Sequence, residues 1–272
     1  MVVQHNMQAA NTNRMLGQNV KAVSKSTEKL SSGYAVNRAA DDAAGLSISE
    51  KMRNQIRGIN QAVKNSEDGV SLIQTAEGNM NEIHSILQRM GELATKAAND
   101  VNATEDRNAI KDEMTQLRNE IDSISSKAAF NGTKLLTGKF KSKFLQVGAN
   151  AGENMMITIK TMNTTTLSLK ATDVCVSTHA TASLAMSKIS AAIKTVSAAR
   201  SELGAKQNRL NYTINNLENY SENLTSAESQ IRDTDMATEM TNYTKNNILQ
   251  QAAQSMLAQA NQSTQGVLSL LQ

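Results

Sequence analysis

Apolar residues along this chain recur at steps of three and four over long distances, the spacing that puts them on one side of an α-helix. Between residues 47 and 98, Met52, Ile56, Ile59 and Val63 begin the pattern. Beyond the turn-prone pair Asp68-Gly69, two heptad columns take over: Ile73, Met80, Leu87 and Ala94 beside Ala76, Ile83, Met90 and Ala97. Columns this narrow mark a coiled-coil seam rather than a broad amphipathic face. Asn99-Asp100 breaks the run, and Asn102 or Thr104 is expected to cap a second helix. That helix repeats the logic with Ile110, Leu117 and Ile124 beside Met114, Ile121 and Ala128.

Residues 130–180 break the pattern. Short apolar runs alternate there with Gly and polar clusters, and Phe144 to Val147 followed by Met155 to Ile159 predicts a β-hairpin near 144–159. From Thr181 to Arg232 the helical period returns, with Val196, Leu203, Leu210, Leu217, Leu224 and Ile231 spaced by seven. Its expected companion column (Ile193, Arg200, Gln207, Ile214, Ser221, Glu228) is mixed, which suits a helix inside a bundle of unlike neighbours.

The two ends carry weaker stripes: Leu16, Val20, Val23 and Leu30 near the start, and Ile248, Leu249, Met256, Leu257, Val267, Leu268 and Leu271 near the end. Both stripes sit in amide-rich, uncapped-looking helices that need a partner surface to be stable in water. Composition fits long thin helices. The 272 residues hold no Pro, no Trp and 3% aromatics, against 34 Ala and 14 Met. The fold expected is mainly α, a long heptad-patterned helical bundle or rod with a small β-hairpin, plus a terminal two-helix coiled coil. Its domains are residues 1–44 with 233–272 for the coiled coil, and 45–180 with 181–232 for the outer bundle.

Charge and chemistry narrow the function. A net charge of +3 gives no polyanion-binding field unless it is concentrated locally. The lone Cys175 rules out a disulfide framework. The first 30 residues have no apolar signal core, and no run of about 18 apolar residues could form a membrane span. His5, His84 and His179 are dispersed, so no zinc site, cofactor site or catalytic constellation is expected. Asp41-Asp42 is read as a helix-flanking acidic pair. Lys139 to Phe144 interleaves cations with aromatics, but as a charged hairpin edge rather than a nucleic-acid module.

The segment Leu30-Ser31-Ser32-Gly33, then Asn37, Ala39 and Asp41-Asp42-Ala43-Ala44-Gly45-Leu46, resembles the N-terminal signature of bacterial flagellins. Ile231 to Met240, Ile248 to Ala252, Leu257 to Asn261 and Val267 to Leu271 resemble the C-terminal signature of that family. The resemblance implies a homopolymeric subunit of an open helical filament, with the chain ends paired as an inner coiled coil lining a channel. Only about 50 residues separate the helical halves, so the large central surface domains look absent.

It implies further a secreted, non-enzymatic protein of the extracellular flagellum, exported unfolded through the flagellar type III apparatus with an export chaperone at the C-terminal region. The filament cap and hook-junction proteins are implied as partners, as is the vertebrate Toll-like receptor that senses flagellin. The family's receptor-contact pattern is matched by Gln88, Arg89, Glu92 and Leu93, with Glu113 on the next helix; Gly91 stands where relatives often carry Arg. A hook–filament junction protein and a secreted membrane-active helical protein are the alternative readings, without stable membrane insertion or nucleic acid in the leading one.

Overall fold

The structure, a computed structural model, describes residues 6–171 and 174–269, with side chains described as far as Ser263. Among the described residues five helices form: α1 (Met7–Ser32), α2 (Ala43–Ala97), α3 (Thr104–Lys127), α4 (His179–Arg232) and α5 (Met236–Ser269). Between α3 and α4 lie two antiparallel strand pairs, β1 (Ala129–Phe130) with β2 (Thr133–Lys134) and β3 (Lys143–Gln146) with β4 (Asn154–Ile157). The fold is mainly helical with a small β-hairpin, as the periodicity predicts. By compactness the chain divides into two units, one of residues up to Ile56 and from Glu222 onward, the other Arg57–Ser221.

In the second unit α2 supplies the spine. Ile73, Ala76, Met80, Ile83, Leu87, Met90, Ala94 and Ala97 are all fully buried. They join one core with Ile110, Met114 and Ile121 of α3 and with α4. The α4 side differs from the expected mixed column. Val196, Leu203, Leu210 and Leu217 are buried as expected, but the second buried column is Ala185, Ala192 and Ala199. Small residues there share one core with the bulky Met and Leu of α2, an alternation of size that suits close packing.

Side-chain contacts run α2 and α4 antiparallel: Asn60 accepts from the Ser221 hydroxyl at 3.0 Å, Glu77 pairs with Arg200 at 3.5 Å, and a Cβ built on Gly91 would meet Ile189 at 3.8 Å. Asp68-Gly69 does not end a helix; α2 runs through it. Gly69 is needed for space, since a Cβ there would sit 2.4 Å from the Leu145 side chain of β3. Leu145 therefore lies close to the helix at Gly69, and Asn65 adds a hydrogen bond to the Gln146 carbonyl at 3.2 Å.

The β3–β4 register pairs Phe144 with Met156 and Leu145 with Met155. The second strand stops at Ile157 rather than 159, because Ile159 donates its N–H to the Phe140 carbonyl instead, at 3.1 Å. The β1–β2 pair went unforeseen. It closes through Asn131-Gly132, both at positive φ (47° and 75°), a turn those two residues adopt readily. Asp122 of α3 accepts hydrogen bonds from the Thr164 amide at 3.0 Å and hydroxyl at 2.7 Å, which fixes the connecting segment to the helix. The α3 cap falls on Ala103, not on Asn102 or Thr104, and the Asp106 carboxylate accepts the Ala103 N–H at 3.2 Å.

The terminal helices turn out to be capped. Asn6 accepts the Ala9 N–H at 2.9 Å, and Gly33 closes α1 in the left-handed region at φ 76°. Asp235 caps α5, its Oδ1 accepting the Ala237 and Thr238 amides at 2.9 and 3.2 Å.

The heptad column makes a graded expectation. Replacing the fully buried Leu210 (Leu210→Ala) should cost about 2–5 kcal/mol. The same change at the half-buried Leu224 should cost well under half of that. Urea unfolding followed by circular dichroism measures both; equal losses would contradict the assignment of the seam.

Candidate functional site

Many of the exposed large apolar residues lie on the paired chain ends. α1 and α5 pack antiparallel, since Asn6 donates to the Ala260 carbonyl at 3.0 Å while Tyr34 bridges to Asp233 at the other end. On α1 the heptad positions Ala9, Thr12, Leu16, Asn19, Val23, Ser26 and Leu30 are half-buried or buried, with Ala22, Glu28 and Lys29 half-buried beside them. On α5 the half-buried positions are Glu239, Tyr243, Asn246, Asn247, Gln250, Ala253, Leu257 and Ala260. The seam side of α5 is therefore mostly polar or small.

The bulky apolar residues of α5 instead face solvent. Ile248 is 59% exposed, Leu249 43% and Met256 59%. Val20, Met15 and Met7 of α1 are also exposed. Of the residues expected to mediate association, Leu16, Val23, Leu30 and Leu257 are thus engaged in the chain's own pair. Val20, Ile248, Leu249 and Met256 stand outward. Leu271 and the side chains of Val267 and Leu268 lie outside the described residues. Burying an outward side chain of this kind is worth about 1.5–3 kcal/mol, so the exposed set can drive association that the seam cannot.

The two helix breaks at 33–42 and 232–235 are tied together by a residue that sequence reasoning passed over. The Arg232 guanidinium lies 4.6 Å from the Tyr34 ring centroid, pairs with Glu50 at 2.9 Å and reaches the Ser49 hydroxyl at 3.3 Å. Its carbonyl accepts the Ala35 N–H at 2.7 Å, and Thr234 donates to the Gly33 carbonyl at 2.9 Å. Nearby, Asp41 pairs with Lys25 at 2.8 Å, and Asp42 caps α2 by accepting the Gly45 N–H at 2.9 Å. Arg in a helix's last turn just before Asp-Thr-Asp was the available signal. Contacts hold three carboxylates below the usual range: Asp41 through its hydrogen bond from Lys25, Glu50 through Arg232, and Asp235 through the Thr238 hydroxyl.

The second candidate surface is a cleft of about 520 Å³ between α2 and α3. Arg89 spans it, donating from Nε and Nη2 to Glu113 at 3.0 and 2.9 Å and from Nη1 to Glu92 at 3.1 Å. Gln88, Arg89, Glu92 and Glu113 are exposed, whereas Leu93 is 3% exposed and belongs to the core. Gly91 has room for a side chain, its nearest neighbour being Ile189 at 3.8 Å.

Among the described residues no group of three or more His, Cys, Asp or Glu could hold a metal ion. Cys175 sits in the connecting segment with its Sγ 3.0 Å from the Ser177 hydroxyl, a contact that lowers the thiol's pKa. No helix among the described residues is long and apolar enough to cross a membrane.

Residues 3–141 match the model of the bacterial flagellin N-terminal helical region, and residues 186–271 match that of the bacterial flagellin C-terminal helical region. The chain is 51% identical to a flagellin of Halalkalibacterium halodurans over 271 residues and 47% identical to one of Bacillus subtilis over 305, each match covering all of both chains. Among solved structures, a Bacillus cereus flagellin superposes with a TM-score of 0.50 at 32% identity, covering 57% of this chain and 88% of that one. A protein assigned as flagellar hook-associated, from Vibrio parahaemolyticus, gives a TM-score of 0.60 at 14% identity, covering 71% and 100%, which speaks to the fold alone.

The depressed carboxylates set a pH dependence. A group whose folded pKa lies below its unfolded value binds more protons when unfolded, so its contribution is present above the ordinary carboxylate range and is lost as pH falls through the depressed value. Helicity followed between pH 7 and pH 2 should show the junction loosening below about pH 4. Replacing Asp41, Glu50 and Asp235 by their amides should flatten that transition; an unchanged acid profile would contradict the assignment.

Proposed function

The chain belongs to the bacterial flagellin family, and from that premise we propose that its outward-facing terminal residues join it to further copies as the structural subunit of a flagellar filament. The observation that carries this is the inverted distribution on α5, whose polar and small face packs against α1 while Ile248, Leu249 and Met256 are left in solvent. A stripe of that kind meeting a different stripe on the next copy gives heterologous contacts that repeat without closing, which is the geometry of an open helical filament. Residues 1–44 and 233–272 form the inner coiled-coil domain in this reading, and residues 45–232 the outer one. Full-length identity to flagellins favours the filament subunit over a hook–filament junction protein, to which the likeness is one of fold.

Export unfolded through the flagellar type III apparatus, with a chaperone holding the C-terminal region, follows from the same premise, as do contacts with the cap and hook-junction proteins. An amphipathic α5 with its apolar face uncovered is a suitable chaperone target before assembly. Removing residues 255–272 should give folded protein that no longer extends filament seeds in electron micrographs. Extension by the truncated chain would sink the proposed role of the ends.

The Arg89–Glu113 cleft serves as the recognition surface for the vertebrate Toll-like receptor for flagellin. Arg89 supplies the cation, and Gln88, Glu92 and Glu113 supply the surrounding polar groups. Leu93, being buried, supports the helix from below rather than touching the receptor. Receptor-reporter cells should respond about tenfold less to Arg89→Ala, since one charge-assisted contact is worth about 1.5 kcal/mol or more. Gly91→Arg should raise the response, because the site has room and gains a cation and helix propensity. Equal potency across all three proteins would remove the cleft from the receptor reading.

A further inference from the structure

Two features of the second unit leave apolar surface open to solvent. The first is Val101, 88% exposed at the crown of the turn between α2 and α3. That turn is firmly held: Asn99 accepts the Val101 N–H at 3.3 Å, Asn102 donates to the Lys96 carbonyl at 2.6 Å, and Arg107 pairs with Asp100 at 2.9 Å. Turn crowns ordinarily carry Gly, Asn, Asp or Ser. A β-branched apolar side chain on a rigid polar turn breaks the local rule without local gain, and such departures mark function.

The second feature is an apolar cleft of about 210 Å³ where the β3–β4 hairpin meets α2. Leu72, Phe130, Phe140, Leu145 and Ile157 line it, together with Gly69 and the charged Asp68 and Lys143. Its volume is several times the ~30 Å³ that one water occupies, enough for a branched aliphatic side chain. Phe144, 70% exposed, lies beside it. Charge around the two features differs in balance, with Asp68 also lining the cleft and Lys96 and Arg107 beside the turn. From Ser123 to Gly152 the sequence holds five lysines (Lys127, Lys134, Lys139, Lys141, Lys143) and no acid. Asp100, Glu105 and Asp106 flank Val101.

We propose that Val101 of one copy inserts into the Leu72–Phe140–Leu145 cleft of the next, guided by the acidic turn meeting the lysine-rich hairpin. Knob and cleft cannot meet within one chain, because about 40 Å of α2 separates them at 1.5 Å per residue. They are different patches on one body, so their pairing is heterologous and propagates along a line of copies. The inference rests on the filament reading above and assigns it one pair of contact surfaces, apart from those on the chain ends.

The test uses full-length chain carrying Cys175→Ser with Val101→Cys and Lys143→Cys, grown on wild-type filament seeds and treated with a short bis-maleimide. A ladder of covalent multimers on denaturing gels, absent from either single-cysteine control, is expected. Filaments that give no ladder beyond the controls overturn the pairing and leave the filament reading standing. Failure of the wild-type chain to extend seeds overturns the filament reading instead. Independently, Val101→Asp should raise the critical concentration for seeded growth about tenfold with unchanged circular dichroism, as expected for losing one buried aliphatic contact. An unchanged critical concentration would also overturn the pairing.

Discussion

The fully dry column along α2 is the constraint from which the second unit's structure follows. Eight positions from Ile73 to Ala97 have no solvent exposure, in a helix with no proline to interrupt it. A seam so narrow leaves little room for aromatic side chains, and its core alternates size, the Met and Leu of α2 sharing it with Ala185, Ala192 and Ala199 of α4. Gly69 obeys the same demand, giving up helix propensity so that Leu145 can lie against the helix. The missing Cβ lets the Leu145 side chain lie close to the helix, beside the Asn65 hydrogen bond that also holds the hairpin there.

The chain ends answer to a different rule. Their own pair uses Leu16, Val23 and Leu30 from α1 against Tyr243, Gln250, Ala253 and Leu257 from α5, a modest seam. The more apolar side of α5 is held in reserve. Caps at Asn6, Gly33 and Asp235 give the helices defined ends without adding core, and Arg232 joins the two breaks through Tyr34, Ser49 and Glu50. Local order is thereby achieved with little apolar burial, which leaves the exposed residues presented on formed helices rather than on loose chain.

Heptad spacing made α2, α3 and most of α4 legible, because long sustained periods are the least ambiguous signal a sequence carries. What it missed has physical causes. Alanine reads as helix former before it reads as core, so the second α4 column went unseen. The Asp68-Gly69 pair looks like a turn until Leu145, 76 positions on, is known to need the space. Two-residue strands fall below any periodicity, although Asn131-Gly132 was signal enough for their turn. For the terminal surfaces the apolar stripe was visible but its direction was not. Period tells which residues share a face; it does not tell whether that face meets the same chain or another.

The antiparallel pairing of α2 with α4, and of α1 with α5, has a consequence in time. Asn60 finds Ser221 across 161 residues and Asn6 finds Ala260 across 254, so the partners are nested one pair inside the other. In a chain that emerges from its N-terminal end, α2 can meet α3 early but meets α4 only once about two thirds of the chain is out. Native contacts of such separation form late and slowly compared with local ones. The innermost hairpin and α3 are complete early, the α2 seam closes only when α4 arrives, and the terminal pair must come last of all. A polypeptide wired this way stays pliable while it is partial and becomes stiff only when whole.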